Sequence, residues 1–172
     1  MIKWIFLIGF WAGINSAFAQ NYSWQEIQTP VKASLRGLSP VSDQVVWASG
    51  SGGTWLRTLD GGKTWDHGVI AGLDTVDFRS IHAFDGNTAV AASAGQPAVI
   101  YRTEDGGRSW VKVHQEGIAA FFDAIAFIDS RKGYVLGDPI DGNWMILETL
   151  DGGKSWRFTQ CKMCAINQRH SI

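Results

Sequence analysis

An all-β fold of repeated four-stranded antiparallel units is what this sequence predicts, and three observations predict it. A nine-residue stretch recurs three times, as RTLDGGKTW (Arg57–Trp65), RTEDGGRSW (Arg102–Trp110) and ETLDGGKSW (Glu148–Trp156). The closing tryptophans stand 45 and 46 residues apart, about the length of one blade of a β-propeller. Nine tryptophans and twenty glycines among 172 residues combine large flat side chains with permissive backbone, which suits short strands and tight turns. No unit carries a sustained 3.6-residue apolar period, so helix is disfavoured.

In chain order, residues 1–19 read as an export leader. Lys3 gives a positive start, Trp4–Ile14 is an apolar run too short to span a bilayer, and Ala17 and Ala19 precede a cut before Gln20. Membrane contact is therefore expected through the leader alone, and the mature chain is expected outside the cytoplasm, periplasmic or extracellular. Within 20–31, Ser23 and Trp24 look like the tail of a further copy of the repeated turn, 41 residues before Trp65. This predicts an outer strand that closes a ring.

Three blades are expected at 32–70, 75–115 and 119–159. Each opens on an equivalent first strand: SLRGL (Ser34–Leu38), DFRSI (Asp77–Ile81) and FFDAI (Phe121–Ile125). Second strands follow in QVVWAS, TAVAAS and KGYVLG, and third strands in WLRT, IYRT and ILET, each leading into the repeated turn. Residues 160–172 (QCKMCAINQRHSI) resemble none of this. Three blades fall short of the four to eight of a typical ring. The expectation is an incomplete ring, shortened from a six- or seven-bladed protein with a non-native tail, or one whose open blade edge allows self-association.

The repeated turn has a physical rationale. An aspartate can accept hydrogen bonds from backbone N–H groups ahead of it, Asp-Gly pairs favour tight hairpins, a hydroxyl can tie the sides together, and an indole buries a large ring while keeping its N–H for a partner. These residues identify the chain as resembling the BNR repeat family, whose Asp-box reads Ser/Thr-x-Asp-x-Gly-x-Ser/Thr-Trp. Its positions are filled by Thr58, Asp60, Gly62, Thr64 and Trp65, by Thr103, Asp105, Gly107, Ser109 and Trp110, and by Thr149, Asp151, Gly153, Ser155 and Trp156. A structural role is favoured for them over calcium binding, because each copy offers one reliable carboxylate.

Within the sialidase/sortilin-type propellers, ASLRGLS, VVWASGSGGTWLRTLDGGKTW and FFDAIAFIDSRKGYVLGDPIDG resemble the photosystem II stability/assembly factor-like group over residues 20–159. That resemblance implies an exported scaffold that binds a protein partner or ligand and has no catalysis of its own.

Fifteen basic against sixteen acidic residues give no electrostatic reason to expect nucleic acid. In a propeller the first strands line the central channel, so Arg36, Arg79 and Asp123 are the candidate ligand-binding residues. Two guanidiniums facing one channel can hold a carboxylate or phosphate; alternatively, they pair with Asp123 or a neighbouring acid. The loops near Gly50–Gly53 and Asp138–Asp141 are expected at the channel mouth, with GDPIDG read as a hairpin loop. Trp47, Trp55 and Trp144, if exposed, would help to hold a protein or a sugar, but blade packing is the favoured role for each.

The alternative reading is an Asp-box glycoside hydrolase acting on extracellular glycans, with Asp123, Asp138 and Asp141 as carboxylates. Against a sialidase, only two candidate arginines appear, and Ser80 interrupts the Phe/Tyr-Arg-Ile-Pro signature. No cofactor or metal is expected. Cys161 and Cys164 form a CxxC that is either a disulfide or, with His170, an incomplete ligand set.

Overall fold

The computed structural model describes residues 26–117 and 120–159. The expected leader, Ser23 and Trp24, and the tail with Cys161, Cys164 and His170 lie outside the described residues. Over 26–31, the remainder of the expected closing segment, the chain forms no strand; Ile27 instead lies against Gly62 of the first repeated turn.

Twelve strands form three four-stranded antiparallel sheets, each in simple sequential order. Sheet one holds β1 (Leu35–Pro40), β2 (Val46–Gly50), β3 (Thr54–Thr58) and β4 (Asp66–Val69). Sheet two holds β5 (Asp77–Ala83), β6 (Ala89–Ala94), β7 (Val99–Thr103) and β8 (Val111–Gln115). Sheet three holds β9 (Phe122–Phe127), β10 (Gly133–Ile140), β11 (Asn143–Thr149) and β12 (Arg157–Phe158). The sheets stack like blades, with β5 against β1 and β9 against β5, so the first strands run side by side along the inner edge. This is a partial β-propeller of three blades, open among the described residues.

The middle blade explains the apolar composition. Period-2 alternation sends Ala89 and Ala91 of β6 into a core with Trp47, Trp55, Phe78, Ile81 and Val99. It sends Val90 and Ala92 into a second core with Ile100, Phe122, Val135, Met145 and Leu147. Both faces of β6 are therefore buried, and its alanines leave room for the indoles opposite. Trp47 is fully buried, 5.9 Å from Trp55 and edge-on to Trp110 at 6.3 Å between ring centroids. Trp47 and Trp55 are thus inter-blade packing, the role favoured for them from the sequence, and unavailable to a partner; Trp144 is exposed.

Polar stitches reinforce the stacking. The Ser39 hydroxyl accepts from the Ala83 amide and that of Ser80 from the Ile125 amide, both at 2.9 Å. Ser49 donates to the Phe78 carbonyl at 2.9 Å, and the Trp47 indole to the Asp85 carbonyl at 3.0 Å. Arg57 donates to the Gly86 carbonyl and Arg102 to the Gly152 carbonyl. Each bond satisfies a group that stacking would otherwise strip of water.

Candidate functional site

The first strands do not alternate regularly, and that irregularity builds the site. Leu35 pairs with Gly50 and Gly37 with Ser49, so Arg36 is an extra residue in β1. Phe122 pairs with Gly137 and Ala124 with Leu136, so Asp123 is the extra residue in β9. In β5 the register shifts between Asp77 and Ser80, with Phe78 and Arg79 opposite the single residue Ser93. Each is a β-bulge, which re-aims the side chain it carries. Strict alternation cannot place Leu35 and Leu38 on one face, since they are three residues apart; the bulge does, and it leaves the charged residue free of the sheet stack.

The structure brings Arg36 and Arg79 together on a shared acid that sequence reasoning did not single out. Asp77 Oδ2 lies 3.6 Å from Arg36 Nε and 3.3 Å from Arg79 Nε. Asp77 Oδ1 is buried and makes no hydrogen bond among the described residues. The side chains of Arg36 and Arg79 are 47% and 40% exposed, and both ion pairs use Nε. Among the described residues their terminal Nη groups make no hydrogen bond, which leaves them as forked donors. Arg79 is further held by the face of Phe121, 5.3 Å from its guanidinium carbon. The signal for Asp77 was its place two residues before Arg79 on a strand; Phe121 gave no comparable signal.

Asp123 lies beyond this pair. Burial raises its carboxyl from the ordinary aspartate value, the Asp138 charge adds to the rise, and Arg79 opposes it. Asp138 lies within β10, not in a hairpin loop as expected; the turn is Asp141–Gly142, with Asp141 at φ 51°. The register slip between Gly137 and Ile140 absorbs Pro139, which cannot donate to the ladder. The sheet thus extends through GDPI before it turns.

The three Asp-boxes share one closed network. Asp60 accepts from the Thr58 hydroxyl, the Thr64 amide and the Thr64 hydroxyl. Asp105 does the same with Thr103 and Ser109, and Asp151 with Thr149 and Ser155. The Thr64 hydroxyl, then its amide, hold the Asp60 carboxyl down to about 2. Ser109 does likewise for Asp105, also about 2. At Asp151 burial pulls upward but is outweighed by Ser155 and Thr149, again leaving about 2. Both oxygens of each carboxylate are occupied from within the turn.

The indoles differ from expectation. Trp65 Nε1 donates to the Gly62 carbonyl at 3.2 Å, but the N–H groups of Trp110 and Trp156 are buried without a partner among the described residues. Trp110 is pressed edge-on against Trp47 of the preceding blade, and Trp156 lies edge-on to Phe127 of its own sheet.

The model of the family described as Photosynthesis system II assembly factor YCF48 matches residues 16–119. Among solved structures, one described as YCF48 bound to D1 peptide is similar at a TM-score of 0.63 and 25% identity, over 81% of this chain and 43% of that one. YCF48 from Cyanidioschyzon merolae is similar at 0.63 and 20% identity, over 87% and 48%. The Niastella koreensis GH74 enzyme is similar in fold at 0.55 and 23% identity, over 76% of this chain and 18% of that one. No curated protein matches the sequence. The chain spans less than half the length of either YCF48 structure.

Proposed function

The chain belongs to the Photosynthesis system II assembly factor YCF48 family, and from that membership we propose that it is an exported, non-catalytic scaffold that grips a peptide of a protein partner. The grip lies at the inner edge of the blades, where Arg36 and Arg79 take a carboxylate of the partner. One observation carries this reading: two half-exposed guanidiniums from neighbouring blades are oriented by one aspartate through Nε, with their Nη forks free among the described residues. That geometry permits end-on bidentate capture of a carboxylate. A similar structure described as YCF48 bound to D1 peptide supports a peptide as the ligand class. Export rests on the sequence of residues 1–19.

The test uses a panel of fluorescent peptides ending in a free α-carboxylate, each paired with its amidated form. Anisotropy titrations are expected to favour the free acid by roughly tenfold or more. Arg36→Gln with Arg79→Gln is expected to abolish that preference without changing the circular dichroism spectrum. Equal binding of acid and amide, or a preference that survives the double variant, rules the arginine grip out. The hydrolase alternative has one observation of its own, the carboxylates of Asp123 and Asp138 on neighbouring strands of sheet three, near enough to interact electrostatically. Turnover of soluble β-glucans or sialosides that disappears in Asp123→Asn would favour it.

A further inference from the structure

Five aspartates in this sequence are followed by glycine: Asp60, Asp85, Asp105, Asp141 and Asp151. The pairing is chemically reactive, because glycine has no side chain to shield its amide nitrogen from the carboxyl beside it. Ring closure needs a carboxyl that can swing and an amide that it can reach. Four of the five pairs lack both freedoms. In the boxes, Asp60, Asp105 and Asp151 each accept at least three hydrogen bonds from their own turn. Their glycine amides are taken as well: Gly61 donates to the Gln44 carbonyl at 3.0 Å, Gly106 to that of Asn87 at 2.9 Å and Gly152 to that of Arg131 at 2.8 Å. The box carboxyls, held down to about 2, are also ionised near neutral pH, and an ionised carboxylate has no hydroxyl to lose. Asp85 Oδ1 accepts from the Asn87 and Thr88 amides at 2.6 and 2.7 Å. The backbone there is clamped from the first blade, since the Trp47 indole donates to the Asp85 carbonyl and Arg57 to that of Gly86.

Asp141–Gly142 differs in each respect. The β10–β11 hairpin runs on past its own sheet: β9 pairs with β10 only as far as Gly137, and β12 pairs with β11 only at Leu147 and Glu148. Residues 139–144 are therefore an overhang of two strands, with Asp141 and Gly142 at its tip. Both have positive φ, 51° and 78°, as a two-residue Asp-Gly hairpin turn requires. Asp141 is exposed, and its carboxylate makes no hydrogen bond or ion pair among the described residues; the Asn143 side chain meets its main-chain carbonyl instead, at 3.3 Å. The Gly142 amide is likewise unbonded among the described residues. Nothing lies within 4 Å of the place where a Gly142 Cβ would stand, so a ring closing there meets no neighbour.

We propose that Asp141 is a modification site, where the backbone isomerises to isoaspartate while the four other Asp-Gly pairs stay intact. The Gly142 amide nitrogen attacks Cγ of the protonated Asp141 carboxyl. The N–Cγ bond forms, the Cγ–OH bond breaks, and the hydroxyl leaves with the amide proton as water. The resulting succinimide takes water back at one of its two carbonyls. Attack at Cγ restores aspartate. Attack at the main-chain carbonyl breaks its bond to the Gly142 nitrogen, frees that carbonyl as a carboxylate and leaves the chain running through Cβ and Cγ. Mass and charge are unchanged, and water is the only co-reactant. The backbone gains one carbon inside the turn that Ile140 and Asn143 close. The product is an L-isoaspartyl residue, the substrate class of enzymes that methylate its carboxylate.

The full chain is aged in weakly acidic buffer and then digested. Isoaspartate is located in each peptide by electron-transfer fragmentation and counted by methyl transfer from S-adenosylmethionine with an isoaspartyl methyltransferase. Conversion at Asp141 is expected to exceed that at every other pair by about tenfold or more, since at least two hydrogen bonds must open first at each of them. In urea, where the turns are lost, the five pairs are expected to convert at comparable rates. Asp141→Glu is expected to lose the signal at that position, because its longer side chain would have to close a six-membered ring, and to keep the circular dichroism of the wild type. Equal conversion at all five pairs in the folded chain overturns the proposal. So does a folded chain that stays unconverted at Asp141 while the unfolded one reacts. The same excess at Asp141 in urea overturns it equally, because the neighbouring sequence and not the fold would then select the site.

Discussion

Gly107 shows how tightly single residues of the Asp-box are constrained. Its φ is 88°, and a Cβ there would lie 2.5 Å from the Trp55 ring of the preceding blade. Gly107→Ala therefore combines backbone strain with overpacking and is expected to cost on the order of 2–4 kcal/mol in urea unfolding. Gly72 provides the comparison, with φ 76° and nothing within 4 Å of the added carbon. Gly72→Ala is expected to cost only about 1 kcal/mol, the backbone share alone.

The box carboxylates make a pH prediction. Folding lowers Asp60, Asp105 and Asp151 from 3.8 to about 2. Their stabilisation is fully present above the unfolded value and is lost as pH falls toward 2. Acid unfolding should deepen across that window. In Thr64→Val the Asp60 carboxyl is expected to titrate closer to 3.8 by NMR, because the lost hydroxyl is the largest cause of its depression.

At the scale of the element, the bulged first strand separates two roles. The bulge sets the phase of the strand, so that Leu35 and Leu38 face one side, while the bulged residue itself carries the charge. Arg36→Ala should leave stability within about 0.5 kcal/mol of wild type, as exposed surface changes do. Deleting Arg36 should remove the bulge, leaving Leu35 opposite Gly50 and Gly37 opposite Ser49 and keeping Leu35 and Leu38, then two residues apart, on one face. Urea melts of the two variants are expected to agree within about 1 kcal/mol; a much larger loss in the deletion would mean that the bulge itself supports the strand. The box turns and the order of the strands were readable from spacing, because a hairpin's chemistry is local. The bulges were not, because a register shift shows only in what lies opposite.

Across the whole molecule, blades share cores with their neighbours instead of owning them. Trp47 belongs to sheet one but packs on Trp110 and Phe78 of sheet two. Trp47→Ala is expected to cost about 3–5 kcal/mol. Because contacts in a stacked array run between nearest neighbours, hydrogen exchange should quicken in sheets one and two and stay protected in the β9–β10 ladder. Uniform loss of protection in all three sheets would show a single cooperative unit.

By itself the sequence determined the all-β class, the three repeats and the internal chemistry of the Asp-box, because each depends on residues close in the chain and on a regular period. Charged residues at equivalent first-strand positions were visible on the same ground. Only the tertiary structure decided that Asp77 joins Arg36 to Arg79, that Trp47 and Trp55 are buried between blades, and that one of five Asp-Gly pairs stands untied. Those outcomes depend on which sheet lies against which and on what each turn meets, and a repeat that is nearly identical in each blade does not state either.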